Sequence, residues 1–280
     1  MSDHFAAFSF VDRITALEPG VRARGTFAIA AGIGAFPPCL MAEAVGQLAA
    51  WVAMAHIGFR GRPVAALAHD TRFLRPVSPG QRLDLAVEIE SCDDEAVAYR
   101  GHAEVAGVRA IELNDCLGPM LPVNEFDDPE ALAGRFALLC DGGAPPGRFH
   151  GVAVPRVVRT RGVRGESAEG TLAVPAAAPF FNDHFPRRPV FPATLLLDAQ
   201  IDLALALASE SPHWSAHSPL MPVRMTNVKV RSFTPPGQLL VIAAELRVPK
   251  DGIATCMLSA HAEGRAVATA RVDIGAEVRP

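Results

Sequence analysis

Two apolar segments of the chain, "FPPCLMAEAVGQLAAWVAM" (Phe36–Met54) and "FPATLLLDAQIDLALALA" (Phe191–Ala208), share one order of residue types. Each begins with Phe-Pro, is apolar on nearly every side of a helical wheel and carries one early acid. A helix can begin directly after a proline, and a helix that is apolar all round is predicted to be buried. The two acids, Glu43 and Asp198, are 155 residues apart. The segments therefore predict two copies of one unit, each with a buried helix.

The sequence around the two helices repeats in the same order. "RGTFAIA" (Arg24–Ala30) precedes the first helix and "EGTLAVP" (Glu169–Pro175) precedes the second. The tripeptide "PGQ" follows each helix, at Pro79–Gln81 and Pro236–Gln238, with an offset of 157 residues. Segments with β-branched residues in partial alternation come after each "PGQ" and are typical of strands. Such regular spacing indicates an internal duplication, in which each copy packs one helix against an antiparallel sheet.

One helix wrapped by a curved antiparallel sheet is the hot-dog architecture. The sequence thus predicts an α+β double hot dog, in which two antiparallel sheets each wrap a central helix and join as a pseudo-dimer. We expect an N-terminal hot dog without a histidine loop over residues 1–122, a linker over 123–147 and a C-terminal hot dog over 148–280. In the linker, Asp128 and Pro129 predict the N-cap and the first residue of a short helix.

The composition limits the classes of function. Of 280 residues, 50% are hydrophobic and 20% are charged, which is typical of a packed globular protein. The net charge of −4 gives no support for nucleic acid as a partner. The five cysteines are widely spaced without a CxxC pair, which argues against disulfides and a zinc site. We see no signal peptide and no apolar run long enough to span a bilayer, so we expect a soluble cytoplasmic protein.

The stretch that carries chemistry is "FFNDHFPRRPVFPATLLLDAQ" (Phe180–Gln200). Prolines at 186, 189 and 192 favour an extended backbone with few rotatable bonds after His184. A histidine in a proline-rich loop is in many proteins only a solvated residue. The order His-Phe-Pro-x-x-Pro-x-x-Pro, followed by a helix with the carboxylate of Asp198, is much more specific.

This stretch resembles the signature of bacterial β-hydroxyacyl-acyl-carrier-protein dehydratases, in which HFPxxPxxPG precedes a helix bearing Glu or Asp. The spacing from His184 to Asp198 is the spacing of that family. The chain departs from the pattern at Ala193, where the family has glycine, and at Asp202, where glutamine is usual.

The resemblance implies dehydration of (3R)-hydroxyacyl thioesters to trans-2-enoyl thioesters, on acyl carrier protein or coenzyme A, in fatty acid, polyketide or related lipid biosynthesis. The neutral imidazole of His184 would remove the α-proton, and a carboxyl group would protonate the leaving hydroxyl. The N–H of Ala193 would hold the thioester oxygen. Phe185, Pro192 and Gln47 are further candidates for oxyanion or substrate contacts. No metal or redox cofactor is implied for this acid–base chemistry, and the substrate would be carried on phosphopantetheine.

The duplication decides which carboxylate is expected to work with His184. In the resembling family the histidine of one subunit works with the acid of the other, so His184 should face Glu43 of the N-terminal half. From Gly25 to Glu43 is 18 residues, whereas Gly170 to Asp198 is 28, so the first half lacks the histidine loop. We expect one active site, His184 with Glu43, and one degenerate site around Asp198. Polyketide-synthase dehydratase domains are similar in plan, with the halves in the opposite order.

Four arginines are candidates for a basic rim that contacts an acidic carrier protein. Arg187 and Arg188 follow His184, and Arg156 and Arg159 lie in "RVVRTRGVR". A solvated strand face explains them equally well. The sequence leaves a homodimer of double hot dogs open.

Two other functions compete with dehydration. Thioester hydrolysis is one, although hot-dog thioesterases use an acid to activate water and seldom have the HFPxxPxxP loop. The other is a non-catalytic acyl-binding or scaffold subunit, which the alanine at 193 and the missing second histidine leave open.

Overall fold

The computed structural model describes residues 5–144, 149–214, 219–248 and 250–276. The N-terminal elements are β1 (Arg13–Glu18), β2 (Arg22–Ala28), α1 (Pro38–His56), β3 (Gly61–Pro63), β4 (Leu67–Phe73), β5 (Arg82–Cys92), β6 (Ala96–Val105), β7 (Val108–Pro122), a 3-10 turn (Val123–Glu125) and α2 (Pro129–Asp141). The C-terminal elements are β8 (Val158–Val163), β9 (Ser167–Ala173), α3 (Pro179–His184), α4 (Ala193–Ser209), β10 (Leu220–Val230), β11 (Leu239–Leu246), β12 (Ile253–Ala262) and β13 (Arg265–Ala276).

The strands form one continuous antiparallel sheet. Their order is β1-β2-β5-β6-β7-β4-β10-β13-β12-β11-β9-β8, and β3 pairs with β7 beside this path. The two halves join where β4 pairs with β10, with Ala68 opposite Val228 and Arg72 opposite Arg224. Each half curves round one helix, so the predicted double hot dog is confirmed, with both sheets fused along the β4–β10 seam.

The two central helices are buried because the sheet covers them. α1 packs on β2, β5 and β6, α4 packs on β9 to β13, and the two helices also touch each other. A Cβ atom at Gly25 would lie 2.8 Å from the Arg13 carbonyl oxygen and 3.3 Å from Leu48, so glycine lets β2 lie close to α1. α1 is also long and apolar enough to cross a membrane, but 61% of its apolar window is buried within the fold.

The linker helix α2 begins as its sequence predicts. The Asp128 side chain accepts hydrogen bonds from the N–H groups of Glu130 and Ala131, and Pro129 is the first helical residue. The ring of Phe136 lies 6.3 Å from that of Trp51 on α1. The division at residues 122/123 stays a prediction, and the division at 147/148 lies outside the described residues.

Candidate active site

A cavity of about 400 Å³ lies between α1, the β4–β10 seam and the start of α4, and residues of both halves line it. His184, Phe185 and Ala193 line it from the C-terminal half, and Glu43 and Gln47 line it from the N-terminal half. The rest of its wall is mainly apolar and includes Ala50, Leu113, Met225 and Val228. A concave, mainly apolar cavity with a few polar groups is typical of a ligand-binding site.

His184 occupies the last position of the short helix α3, rather than an extended loop. Phe185, which precedes a proline, has φ −133° and ψ 84°, because a residue before proline is disfavoured in the helical region. The prolines therefore end the helix directly after the histidine. This local break directs the following segment toward the linker and β10.

The ring of His184 is held between two phenylalanines. It stacks on Phe185, with centroids 3.9 Å apart and planes at 24°, and it meets Phe8 edge-on at 5.0 Å. Burial, with a smaller effect of the Arg62 guanidinium, lowers the pKa of His184 to about 3, while the backbone of Val190 opposes this shift. The buried Nδ1 atom has no partner of good hydrogen-bond geometry among the described residues. His184 is thus neutral at pH 7, the state in which imidazole can accept a proton.

The segment after His184 is fixed by contacts with other elements. The Arg187 N–H donates to the Phe126 carbonyl oxygen at 3.0 Å, and the Phe191 N–H donates to that of Thr234 at 2.7 Å. The ring of Phe185 lies 4.9 Å from that of Phe126. The linker and the segment after β10 therefore hold the histidine segment in place.

Glu43 lies in the second turn of α1, and its carboxyl group is bound from both halves. Gln47 Nε2 donates to Glu43 Oε1 at 2.9 Å, and Thr194 Oγ1 of α4 donates to Glu43 Oε2 at 2.8 Å. Burial raises the pKa of Glu43, while the two hydrogen bonds and the Arg62 charge act in the opposite direction. Its carboxyl group is therefore closer to being protonated at neutral pH than an ordinary glutamate.

Gln47, expected from the sequence as a substrate contact, has its amide groups occupied by protein partners. Besides Glu43, its Nε2 donates to the Phe8 carbonyl oxygen at 3.0 Å, and its Oε1 accepts from the Phe10 N–H at 2.8 Å. Gln47 lines the cavity, but these bonds give it the task of holding Glu43.

The start of α4 offers an oxyanion donor. Ala193 is the first residue of the helix and lines the cavity, so its N–H has no acceptor within the helix. Pro192 precedes it as the N-cap, with φ −59° and ψ 131°, and is absent from the cavity lining among the described residues. Thr194, which was not predicted from the sequence to contact Glu43, is the second residue of α4.

Comparison with known proteins identifies the relatives of this arrangement. Residues 152–271 match the FabA-like domain. The 3-hydroxyacyl-[acyl-carrier-protein] dehydratase FabZ of Clostridium acetobutylicum is 31% identical over 113 residues, which are 36% of this chain and 80% of that enzyme. FabZ of Paramagnetospirillum magneticum is 37% identical over 98 residues, which are 35% of this chain but only 60% of that enzyme. The chain belongs to the FabZ family.

Solved structures match this FabZ-family chain over nearly its whole length. An acyl-CoA thioesterase II, TesB2, from Mycobacterium marinum has a TM-score of 0.53 at 12% identity and covers 95% of this chain and 96% of its own. An acyl-ACP thioesterase from Bacteroides thetaiotaomicron has a TM-score of 0.53 at 9% identity, with coverages of 90% and 97%. At such low identity these matches show the double hot-dog fold alone.

The predicted degenerate half-site around Asp198 differs from the first in its helix start and in its position relative to the cavity. Asp198 is buried, and its Oδ1 accepts a long hydrogen bond of 3.4 Å from the Cys39 N–H. Burial, together with the charge of Asp202, raises the pKa of Asp198 to about 7. Pro38 is the first residue of α1, the position that Ala193 has in α4, and proline has no N–H to donate. Asp198 is absent from the lining of the described cavity.

The four arginines expected at a carrier-protein rim do not line the cavity of the FabZ-family chain in its described part. Three of them form ion pairs with nearby carboxylates: Arg187 with Asp128 at 2.7 Å, Arg188 with Glu125 at 2.7 Å and Arg159 with Glu210 at 2.6 Å. Burial raises the pKa of Asp202 and the charge of Arg156 opposes this rise, so Arg156 lies near Asp202 and the second half-site. A carrier-protein role for these arginines stays a prediction.

An arginine that the sequence did not single out reaches the site from β3. Arg62 Nη2 donates to the His184 carbonyl oxygen at 3.2 Å, and its guanidinium lies 5.2 Å from the centroid of the Phe185 ring. Burial lowers the pKa of Arg62 to about 10, so it stays charged at neutral pH. Its charge lowers the proton affinity of His184.

Proposed function

We propose that this FabZ-family chain is a hydro-lyase that dehydrates 3-hydroxyacyl thioesters carried on phosphopantetheine. One observation carries the proposal: His184 and Glu43, from opposite halves, line a single cavity beside the N–H of Ala193. That set supplies a base, an acid and an oxyanion donor, which are the groups that elimination of water from a thioester requires.

The reaction follows from these groups. The neutral imidazole of His184 takes the α-proton, and the electron pair moves onto the thioester oxygen, where the Ala193 N–H stabilises the negative charge. The enolate then re-forms the carbonyl, the Cα–Cβ double bond forms and the Cβ–O bond breaks. Glu43 gives its proton to the departing hydroxyl, which leaves as water. Transfer of a proton from the imidazolium to the Glu43 carboxylate restores both groups.

The protonation states agree with these roles. Burial lowers the pKa of His184 to about 3, so that it is unprotonated across the neutral range. Burial raises the pKa of Glu43, so that its acid form persists to a higher pH than in water. Two titratable groups whose pKa values are moved in opposite directions by their surroundings are typical of a general base and a general acid. We expect kcat/KM to fall on the alkaline side as Glu43 ionises.

The acyl chain has an apolar wall available. Between α1 and the β6–β7 strands, Gly46 faces Tyr99, and a Cβ atom at Gly46 would lie 3.1 Å from the Tyr99 hydroxyl. Glycine here widens the space beside Glu43. We propose that the acyl chain enters this space, with the thioester at the start of α4.

The test is incubation with 3-hydroxyacyl thioesters of pantetheine, coenzyme A and acyl carrier protein, followed by mass spectrometry. We expect loss of water with the thioester intact, and a loss of activity of about 10²–10⁴-fold in His184→Ala. Release of free thiol without loss of water would instead identify a thioesterase. Equal turnover by wild type and His184→Ala would overturn the proposal, and binding without turnover would indicate an acyl-binding subunit.

A further inference from the structure

We propose that Asp183 is a positioning residue that holds residues 5–10, the N-terminal strap, in place so that the strap aligns His184 with Glu43. This inference rests on the proposed function for its kinetic consequences, but its structural part can be tested without turnover. Neither Asp183 nor the strap belongs to the helix repeat or to the HFPxxPxxP motif.

The first end of the strap is bound by one carboxylate. Asp183 Oδ1 accepts from the Phe5 N–H at 3.1 Å and from the Ser9 hydroxyl at 2.9 Å. Its Oδ2 accepts from the N–H groups of Ala7 at 3.2 Å and Phe8 at 2.8 Å. Asp183 is 5% exposed and directly precedes His184. The four donors that the described residues supply to this buried carboxylate fix both the strap and the backbone beside the base.

The second end of the strap is bound to the helix that carries the acid. Gln47 donates to the Phe8 carbonyl oxygen at 3.0 Å and accepts from the Phe10 N–H at 2.8 Å. The same Gln47 amide donates to Glu43 Oε1 at 2.9 Å. A continuous chain of bonds therefore runs from the Glu43 carboxyl group through Gln47 and the strap to Asp183.

The strap also forms part of the site itself. Phe5, Phe8 and Ser9 line the cavity, and the Phe8 ring meets the His184 ring at 5.0 Å. The strap thus touches the base and the residue that holds the acid, although these belong to opposite halves of the chain. If the strap moved by an ångström, the distance between base and acid would change with it, and such a change can cost about 100-fold in rate.

The carboxylate is chemically suited to this task in a way that its amide is not. An ionised Asp has two acceptor oxygens, whereas Asn has one acceptor oxygen and an NH₂ group that can only donate. Asp183→Asn keeps the shape but turns a donor toward either the Phe5 and Ser9 pair or the Ala7 and Phe8 pair. The variant is therefore a nearly isosteric probe of the strap.

The kinetic test compares Asp183→Asn with Ser9→Ala, which removes one of the four donors found among the described residues. We expect Asp183→Asn to lower kcat about 10–100-fold with little change in KM, and Ser9→Ala, which leaves the other donors in place, to lower kcat by a smaller factor. Asp183 and Gln47 both act through the strap. We therefore expect the loss of kcat in the double variant Asp183→Asn/Gln47→Ala to be smaller than the product of the losses in the two single variants. An unchanged kcat in folded Asp183→Asn, or a fully multiplicative double variant, would overturn the positioning role.

The structural test needs no turnover. In amide hydrogen exchange, we expect Asp183→Asn to speed exchange at Phe5, Ala7 and Phe8 while amides of β12 stay protected, and in NMR the Phe8–His184 ring contact should weaken. If strap exchange and the ring contact match the wild type, the strap proposal fails, whatever the enzyme does. If wild type fails to dehydrate while the strap opens in the variant, the proposed function fails and the strap's structural role stands.

Discussion

The two half-sites occupy equivalent positions, but only the C-terminal half carries the histidine segment. Glu43 on α1 and Asp198 on α4 lie 155 residues apart in sequence, and each carboxylate reaches the second residue of the other central helix. Glu43 accepts from the Thr194 hydroxyl at 2.8 Å, and Asp198 accepts from the Cys39 N–H at 3.4 Å. The crossed pairing of acid and helix start therefore belongs to the duplicated fold.

What separates the half-sites is the chemistry at the helix start. α4 begins with Ala193, which keeps a donor, and follows the His184 segment, whereas α1 begins with Pro38, which has none. Proline in the first turn suits a helix as well as alanine does. In the mechanism proposed above, the second half-site therefore lacks the helix-start donor, although its helix start suits packing equally well.

The largest expected effect comes from removing each acid in turn. We expect Glu43→Gln to lower kcat/KM by about 10²–10⁴-fold, because the general acid is lost while the hydrogen-bonding shape remains. Asp198→Asn, the matched control at the equivalent position, should stay within about twofold of wild type, since Asp198 lies outside the cavity lining. Steady-state kinetics with a 3-hydroxyacyl thioester decides between them. An active Glu43→Gln with an inactive Asp198→Asn would reverse the assignment of the two half-sites.

The second prediction makes one half-site imitate the other. Ala193→Pro copies Pro38, and replaces the N–H at the first position of α4 with a ring carbon. The helix should form normally, because Pro192 already has ψ 131°, which a following proline accepts. We expect kcat to fall about 10²–10³-fold with an unchanged thermal midpoint, since one oxyanion donor is lost. Ala193→Gly keeps the N–H and should remain active. An active Ala193→Pro would exclude this N–H as the oxyanion donor.

The sequence predicted those parts of the candidate site that lie on periodic or repeated features. The helix repeat placed Glu43 at the position equivalent to Asp198, the proline motif pointed to His184, and the resemblance to the dehydratase family implied that the two work together. The acceptor role of Asp183 could not be read in this way, since its partners Phe5 and Phe8 are joined to it only by the folded chain. Arg62 was missed for the same reason, because it reaches His184 from an isolated three-residue strand.

Thr194 offers a third and smaller contrast with its counterpart Cys39. Thr194→Val keeps the branched shape but removes the hydroxyl that binds Glu43 and lowers its pKa. Without it the pKa of Glu43 rises further, so the alkaline limb of kcat/KM should move to higher pH. We expect kcat to fall only about threefold to tenfold, because Gln47 still holds the other carboxyl oxygen. Thr194→Ser should restore both values, and a pH profile that is the same in all three proteins would contradict this role.

Asp198→Asn is expected to change activity least, but to change the pH dependence of the free energy of unfolding. Its pKa is about 7 in the folded protein against 3.8 for an ordinary aspartate, so the folded state binds the proton more tightly. Its contribution is complete below pH 3.8 and is lost as the pH rises through 7, a change of up to roughly 4 kcal/mol. Asn at this position cannot ionise and can still accept from the Cys39 N–H. The difference in unfolding free energy between Asp198→Asn and wild type should therefore grow in favour of the variant from pH 4 to pH 8, as measured by urea denaturation. A difference that does not depend on pH would show that the pKa of Asp198 in the folded protein is not raised above its value in the unfolded chain.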